Sequence, residues 1–423
     1  MKYILLYEQW LAQKGQPFLF EGGASGHMMH PFDDKELTFD DFKSMITAGL
    51  RGELNFEEEP TEKTDGQNLW ATIKDGEVKF ARNKGDSKTP MSLSQLKDKF
   101  EGHPSKAVQD TFQFAADDLA KLLLGLPKDR QEEIFDGGKN FLNMELITTM
   151  NPNVILYDTD VIQFHNLTKT DGDGNILGTD SKPAKEIPQI LNKVKSDIGK
   201  KFQIIPPRVI QLQQDLDFST NQSKFLSQIN ALQKRYNLRP SDPISKYNEM
   251  WWRELINKQF PNLSDDVKEG LVLRWGYGDK KTLNMRSLAK QIGPKEAALV
   301  KKFEKEDVKQ KYKENIRPFE DLFLELGSII LRNASNFLAA NPSAEAQRLR
   351  KQIETEAGKI KKTGGVEQIK KVEGELARLD RIGGIESIFP TEGIVFKYKG
   401  KIYKLTGTFA AINQLLGIIK YGR

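Results

Sequence analysis

The sequence predicts an α+β fold, with antiparallel sheets flanked by helices and interrupted by a large helical insert. Three observations lead there. Period-two alternation of apolar and polar residues, broken by Asp75-Gly76, marks a strand-rich region at 55–182. Strand-like sequence returns at 386–423 around a Lys399-Gly400 hairpin. Between them lies a long, charged stretch with helical spacing. One sheet domain with a helical domain inserted into it is the simplest arrangement. The expected boundaries are 1–22 for an N-terminal peptide, 23–182 and 386–423 for the two parts of the sheet domain, and 183–385 for the insert.

The elements follow in order. Residues 38–54 read as a helix, with Thr38 as N-cap, Asp40 and Asp41 in the first turn and apolar residues at helical spacing. NLWATI (68–73) and VKFARN (78–83) are strands. SLSQLKDKF (92–100) and 108–126 are helices. NFLNMELI (140–147), NVILYD (153–158) and VIQFHNL (161–167) are strand-like, and KTDGDGNILG (169–178) is a turn-rich connection. GIVFKYKG and KIYKLTG form the last hairpin.

Composition bounds the function. The 423 residues are 38% hydrophobic and 29% charged, and no run reaches the eighteen or so apolar residues of a membrane span. With no cysteine, disulfides, thiolate catalysis and Cys-based zinc sites are excluded. A net charge of +5 permits a polyanionic partner without demanding one.

The chemistry-bearing residues come in an ordered series. Lys63-Thr64-Asp65-Gly66 leads into a strand. Arg82-Asn83-Lys84 ends the first hairpin, Glu145 sits in a later strand, and Glu392-Gly393-Ile394-Val395-Phe396-Lys397 precedes Lys404. In this order the motifs resemble those of the covalent nucleotidyltransferases: DNA ligases, RNA ligases and mRNA capping enzymes. EKTDGQNLW is most similar to the EKxxGxNF of the second class of phage RNA ligases, which Asn68 matches. The resemblance covers roughly 55–170 and 386–410 and leaves the insert unexplained.

That resemblance implies an ATP-dependent polynucleotide ligase, most readily for RNA, working through a covalent lysyl-AMP on Lys63 with Mg²⁺ or Mn²⁺. A lysine amine is protonated at neutral pH, so it needs burial or nearby cations to attack the α-phosphate. Lys84, Lys397 and Lys404 would supply cations that also neutralise phosphates. Glu392 and Glu145 are the carboxylates for the metal. By the same resemblance Glu62 reads the adenine edge, Arg82 contacts ribose or phosphate, Phe164 stacks on the base, and Asp65, Gly66 and Asn68 complete the nucleotide site. Met144 stands where the family usually has glycine, and Thr406 where it has a second lysine. Few residues follow Lys404, so an appended OB domain is not expected. Two alternatives stay open: transfer of AMP to another acceptor such as a protein, and an inactive binding protein of a phage head.

Other features point outward. Leu19-Phe20-Glu21 resembles the site at which a phage prohead protease trims packaged proteins. An ordinary N-terminal helix is the alternative for this stretch. The C-terminal tail, with EKTDGQNL and GHMMHPFDD, resembles large-phage proteins, which implies the host cytoplasm during infection and a possible place in the phage head. His27 and His30, beside Asp33 and Asp34, make a weak metal candidate. Trp251, Trp252, Trp275 and Tyr277 lie among basic residues, including Arg253, Arg274, Lys280 and Lys281. They are candidates for stacking on single-stranded nucleic acid, or for core packing.

Overall fold

The computed structural model describes residues 28–150, 154–171, 173–194, 201–279, 281–339 and 342–421. The N-terminal peptide with Leu19-Phe20-Glu21, His27 and Lys280 lie outside the described residues. In chain order the elements are α1 (Phe39–Arg51), β1 (Thr61–Lys63), β2 (Gln67–Lys74), β3 (Glu77–Ala81), α2 (Leu93–Phe100), α3 (Lys106–Leu124), α4 (Lys128–Phe135), β4 (Asn140–Ile147) and β5 (Val161–Thr170). Then follow β6 (Ile176–Asp180), α5 (Lys182–Val194), β7 (Gln203–Ile205), β8 (Gln211–Leu212), α6 (Phe218–Arg235), α7 (Ile244–Gln259), α8 (Asp265–Tyr277), α9 (Leu288–Ile292) and α10 (Pro294–Glu306). The chain closes with α11 (Val308–Arg332), β9 (Ala334–Ser335), α12 (Pro342–Thr363), α13 (Val366–Arg381), β10 (Gly393–Tyr398), β11 (Lys401–Leu405) and α14 (Phe409–Tyr421). This is an α+β chain, and among the described residues its named strands pair antiparallel except β5 with β7, which is parallel.

The chain divides into two compact units. One combines 30–51 with 216–326, and the other combines 52–215 with 327–423 and the short stretch before residue 30. The first is helical. Thr38 and Asp41 cap α1 reciprocally: the Asp41 amide donates to Thr38 Oγ1 at 3.1 Å and the Thr38 amide to Asp41 Oδ2 at 2.9 Å. Phe39, Phe42, Met45 and Ile46 form one face of α1, and Phe42 meets Phe323 edge-on at 4.8 Å. A second core in this unit gathers Trp252, Leu271, Trp275, Val300 and Phe303.

The second unit holds the sheets. One is three-stranded, β1-β10-β11; the largest runs β3-β2-β4-β5-β6, with β7 also on β5; and β8 and β9 form a two-stranded antiparallel pair. Along β4 the side chains alternate. Leu142, Met144 and Leu146 join a large core, while Asn143 and Glu145 point to the opposite face. Helix α3 covers the core face with Phe112, Ala115, Ala116, Leu119, Leu122 and Leu123, and α5 with Ala184, Ile187 and Leu191. Fully burying each larger side chain contributes about 1.5–3 kcal/mol.

Three expectations differ from this arrangement. NVILYD is not a strand: the amides of Val154 and Ile155 donate to Asp65 Oδ2 at 2.6 and 2.9 Å instead of joining a ladder. The turn-rich connection contains strand β6, which pairs with β5. The unit boundaries also fall elsewhere than 183 and 385. Helices α5, α12 and α13 belong with the sheets, and α1 belongs with the helical unit. Apolar periodicity defines a helix face but not the surface that the face covers.

Candidate active site

Strand register assembles the site. Thr61 pairs with Val395 and Lys63 with Gly393; Val395 pairs with Lys404 and Lys397 with Ile402. Directly paired residues share a sheet face. Lys63, Lys397 and Lys404 therefore lie on one face of the three-stranded sheet, with Thr61, Val395 and Ile402. The other face carries Glu62, Ile394, Phe396, Tyr403 and Leu405, all at most 2% exposed. The lysine face borders a cleft. Thr61, Lys63, Val395 and Lys397 line one side of it, and Asn143, Glu145, His165 and Asn166 of the larger sheet line the other.

Lys63 is 8% exposed, and its ammonium is paired with the Glu392 carboxylate, which is also buried. Glu392 stands just ahead of β10. Gly393 there has φ +151°, and a Cβ would run into the backbone of Leu405 and Thr406, so no side chain fits. Lys397 Nζ lies 3.0 Å from Glu58 and 4.0 Å from Glu57. Glu58 is held below its usual range despite the opposing cost of burial, by hydrogen bonds from Ser181 and Lys397 and by the charges of Lys397 and Lys185. Lys404 is buried on the same face, and its amide donates to the Met29 carbonyl at 2.9 Å.

Across the cleft, Glu145 Oε2 lies 3.5 Å from His165 Nε2. Asn68 is paired in register with Glu145, and its Nδ2 donates to Asn143 Oδ1 at 2.7 Å. The Arg82 guanidinium donates to the Asn68 carbonyl at 2.7 Å and stacks 4.2 Å from the Phe112 ring centroid. Burial lowers the Arg82 pKa to about 10, against the opposing pull of Glu145 and Asp86. Arg82 thus braces the strand that presents Asn68. A Cβ on Gly66 would sit 2.6 Å from the Leu146 carbonyl oxygen and 2.7 Å from Glu145 Cγ. Gly66→Ala should therefore displace the Glu145 strand and cost about 1–3 kcal/mol, read as a lower thermal or urea midpoint.

Three predicted ligands are placed elsewhere. Glu62 is on the face opposite Lys63. Its Oε2 accepts from the Leu338 amide at 2.8 Å and lies 3.6 Å from Arg208 Nε. Adjacent residues of a strand point to opposite sides. Phe164 is fully buried in the core under α3, and a bulge in the β4–β5 register turns its neighbour His165 toward the cleft instead. Lys84 is exposed in a turn and does not line the cleft. Asp65 lies beside Lys63, but its carboxylate is engaged by the Val154 and Ile155 amides. In the helical unit Trp252 and Trp275 pack in a core with Trp251 partly buried against it, and the Tyr277 hydroxyl lies 3.1 Å from Glu249, so these rings form no stacking platform.

Sequence reasoning missed His165, Asn143 and the acidic run Glu57-Glu58-Glu59. Asn143 was readable, because it lies two residues before Glu145 on the same strand face. His30 stacks on Phe32 at 4.7 Å. Among the described residues no group of three or more His, Asp or Glu side chains is gathered to hold a metal ion. Of the two carboxylates predicted to hold a metal, Glu145 lines the cleft, whereas Glu392 is paired with Lys63 and is not among the cleft residues; a magnesium-type ion is commonly held by one or two carboxylates with substrate phosphate oxygens and waters. No protein-family model, curated protein or solved structure matches the chain. No helix among the described residues is long and apolar enough to cross a membrane.

Proposed function

We propose that this cleft is the active site of a covalent nucleotidyltransferase, an ATP-dependent polynucleotide ligase that seals RNA ends. One observation carries the reading: the register that brings Lys63, Lys397 and Lys404 onto one sheet face, with the Lys63 amine against a buried carboxylate. The carboxylate of Glu392 accepts a proton from Lys63 Nζ. The freed lone pair attacks the α-phosphorus of ATP, the bond to the bridging oxygen breaks, and pyrophosphate leaves with the electron pair and the second proton shed by the nitrogen. A 5′-phosphate oxygen then attacks the same phosphorus, and the N–P bond breaks as Glu392 returns its proton to the nitrogen, restoring the amine. Finally a 3′-hydroxyl attacks the activated 5′-phosphate, and AMP leaves with the electron pair and the hydroxyl proton as the phosphodiester forms. Lys397 and Lys404 offset phosphate charge in each step. A divalent cation held by Glu145 would add to that charge stabilisation.

The cleft measures about 90 Å³, below the roughly 300 Å³ at which small-molecule sites begin. Nucleotide entry therefore requires side chains at its mouth to move. Lys397 and Glu58 are about a quarter to a third exposed and can swing aside at little cost. Glu58→Gln should loosen this contact and lower the ATP concentration for half-maximal adduct formation a few-fold, measured by titrating labelled ATP. The acceptor is tested with nicked duplexes of RNA or DNA. Sealed product supports the ligase reading. An adduct that forms but seals nothing would favour transfer to another acceptor, in keeping with Thr406 in place of a second lysine.

A further inference from the structure

The hairpin of α12 and α13 carries a charge distribution that its packing does not require. Both helices are anchored at their roots: Leu349, Ile353 and Ala357 on α12 and Val372 and Leu379 on α13 are buried. Between residues 358 and 371, at the tip, no residue is fully buried, though Gln368 Nε2 donates to the Ile418 carbonyl of α14 at 3.3 Å. Lys359, Lys361, Lys362, Lys370 and Lys371 are all exposed there, and Glu367 is the one acid among residues 359–371. Five lysines against one glutamate give +4, in a chain whose whole net charge is +5. A second basic stretch, residues 280–313, carries eleven Lys and Arg against four acids, and the tip differs from it in having no buried residue among its lysines.

Helix physics accounts for part of this. Lys361 and Lys362 end α12, where cations offset the helix dipole by a few tenths of a kcal/mol. Lys359 pairs with Glu356 at 2.6 Å and Lys371 with Glu367 at 3.0 Å. Neither reason calls for Lys370, which lies near the N-terminal, positive end of α13. The helical form of the tip is held by its roots, so the lysines are not needed for packing.

We propose that the hairpin tip binds the phosphate backbone of a nucleic acid without reading its bases. Lysine is a mobile point charge, suited to neutralising phosphates along a strand rather than to bidentate recognition of a base edge. The tip has no aromatic residue to stack on a base. Its one exposed apolar side chain is Val366, too little to wedge between base pairs or to enter a lipid surface. Neutralised phosphates release counterions, so such binding must weaken steeply with salt.

The test compares the full chain with a Lys361→Gln/Lys362→Gln/Lys370→Gln variant and with a control, Lys295→Gln/Lys301→Gln/Lys305→Gln, which removes the same charge from exposed positions of α10. Affinity for a labelled random-sequence duplex is measured across salt concentrations, beside anionic phosphatidylserine vesicles. The tip variant should show a log–log salt slope shallower by about 2–3, at roughly 0.9 per lost phosphate contact, while the control keeps the parental slope. Equal loss in both variants would assign binding to diffuse charge and overturn the proposal. An unchanged tip variant, or vesicle binding that disappears with the tip lysines while duplex binding persists, would overturn it as well. None of these readouts depends on whether Lys63 forms an adduct, so failure here is separable from failure of the proposed chemistry.

Discussion

Incubated with α-labelled ATP and Mn²⁺, the protein should carry label through a denaturing gel, and Lys63→Ala should carry none. Pyrophosphate should release the label, because attack on the phosphorus reverses the first step. The variant has a second consequence that must be kept apart from the first. Lys63 and Glu392 are buried together, and removing the ammonium leaves an unpaired carboxylate in the interior. Breaking such a pair costs about 3–5 kcal/mol, so Lys63→Ala should also melt earlier. A Lys63→Met/Glu392→Gln double variant removes both charges of the pair and should recover much of that stability. It should still take no label, because no amine stands at residue 63. A stable double variant that forms the adduct would place the nucleophile elsewhere. A parent that takes no label from ATP, GTP or NAD would leave the cleft without the proposed chemistry, and a binding protein would become the better reading.

The parts of this site that were legible in the sequence were those fixed by local periodicity. Hairpins around Asp75-Gly76 and Lys399-Gly400 follow from turn chemistry: Asp75 and Lys399 both take positive φ, followed by glycines that do the same. Once those strands are in place, the spacing of Lys397 and Val395 puts them on one face. Adjacent positions were misread for the same physical reason. Glu62 beside Lys63 had to face away, and the alternation was there to be used. Phe164 was lost to a bulge, which moves one residue out of register and cannot be seen in apolar spacing. Lys84 was placed by motif order alone, and nothing in its turn directs it inward. The unit boundaries were illegible because α1 and α5 are ordinary amphipathic helices. What each covers depends on partners distant in sequence: Phe319 and Phe323 for α1, the larger sheet for α5.

Stability should fall as pH rises from 5 to 8, the reverse of the trend set by surface carboxylates that are paired in the folded state. Burial pushes Glu62 up from 4.5 to about 7, and burial together with the Glu392 charge pushes Asp65 up from 3.8 to about 7. Between roughly 4 and 7 the folded chain holds protons at these sites that the unfolded chain has released. The stability they contribute is fully present below the unfolded values and is lost as pH rises through the folded ones. For Glu62, 1% exposed, the change is on the order of 3 kcal/mol. Asp65 is partly exposed and adds in the same direction, with a smaller share to be expected from solvent screening. Glu62→Gln keeps an oxygen for the Leu338 amide and removes the ionisation. It should flatten the profile and melt later than the parent at pH 8, while the two differ little at pH 5. Thermal midpoints at the two pH values decide it: a parent more stable at pH 8, or a Glu62→Gln profile parallel to the parent's, would remove the buried carboxyl as the cause. The residues concerned flank the proposed nucleophile in sequence. An alkaline medium therefore withdraws support from the strand that carries Lys63, and initial rates should be read only where the melting curve shows the chain folded.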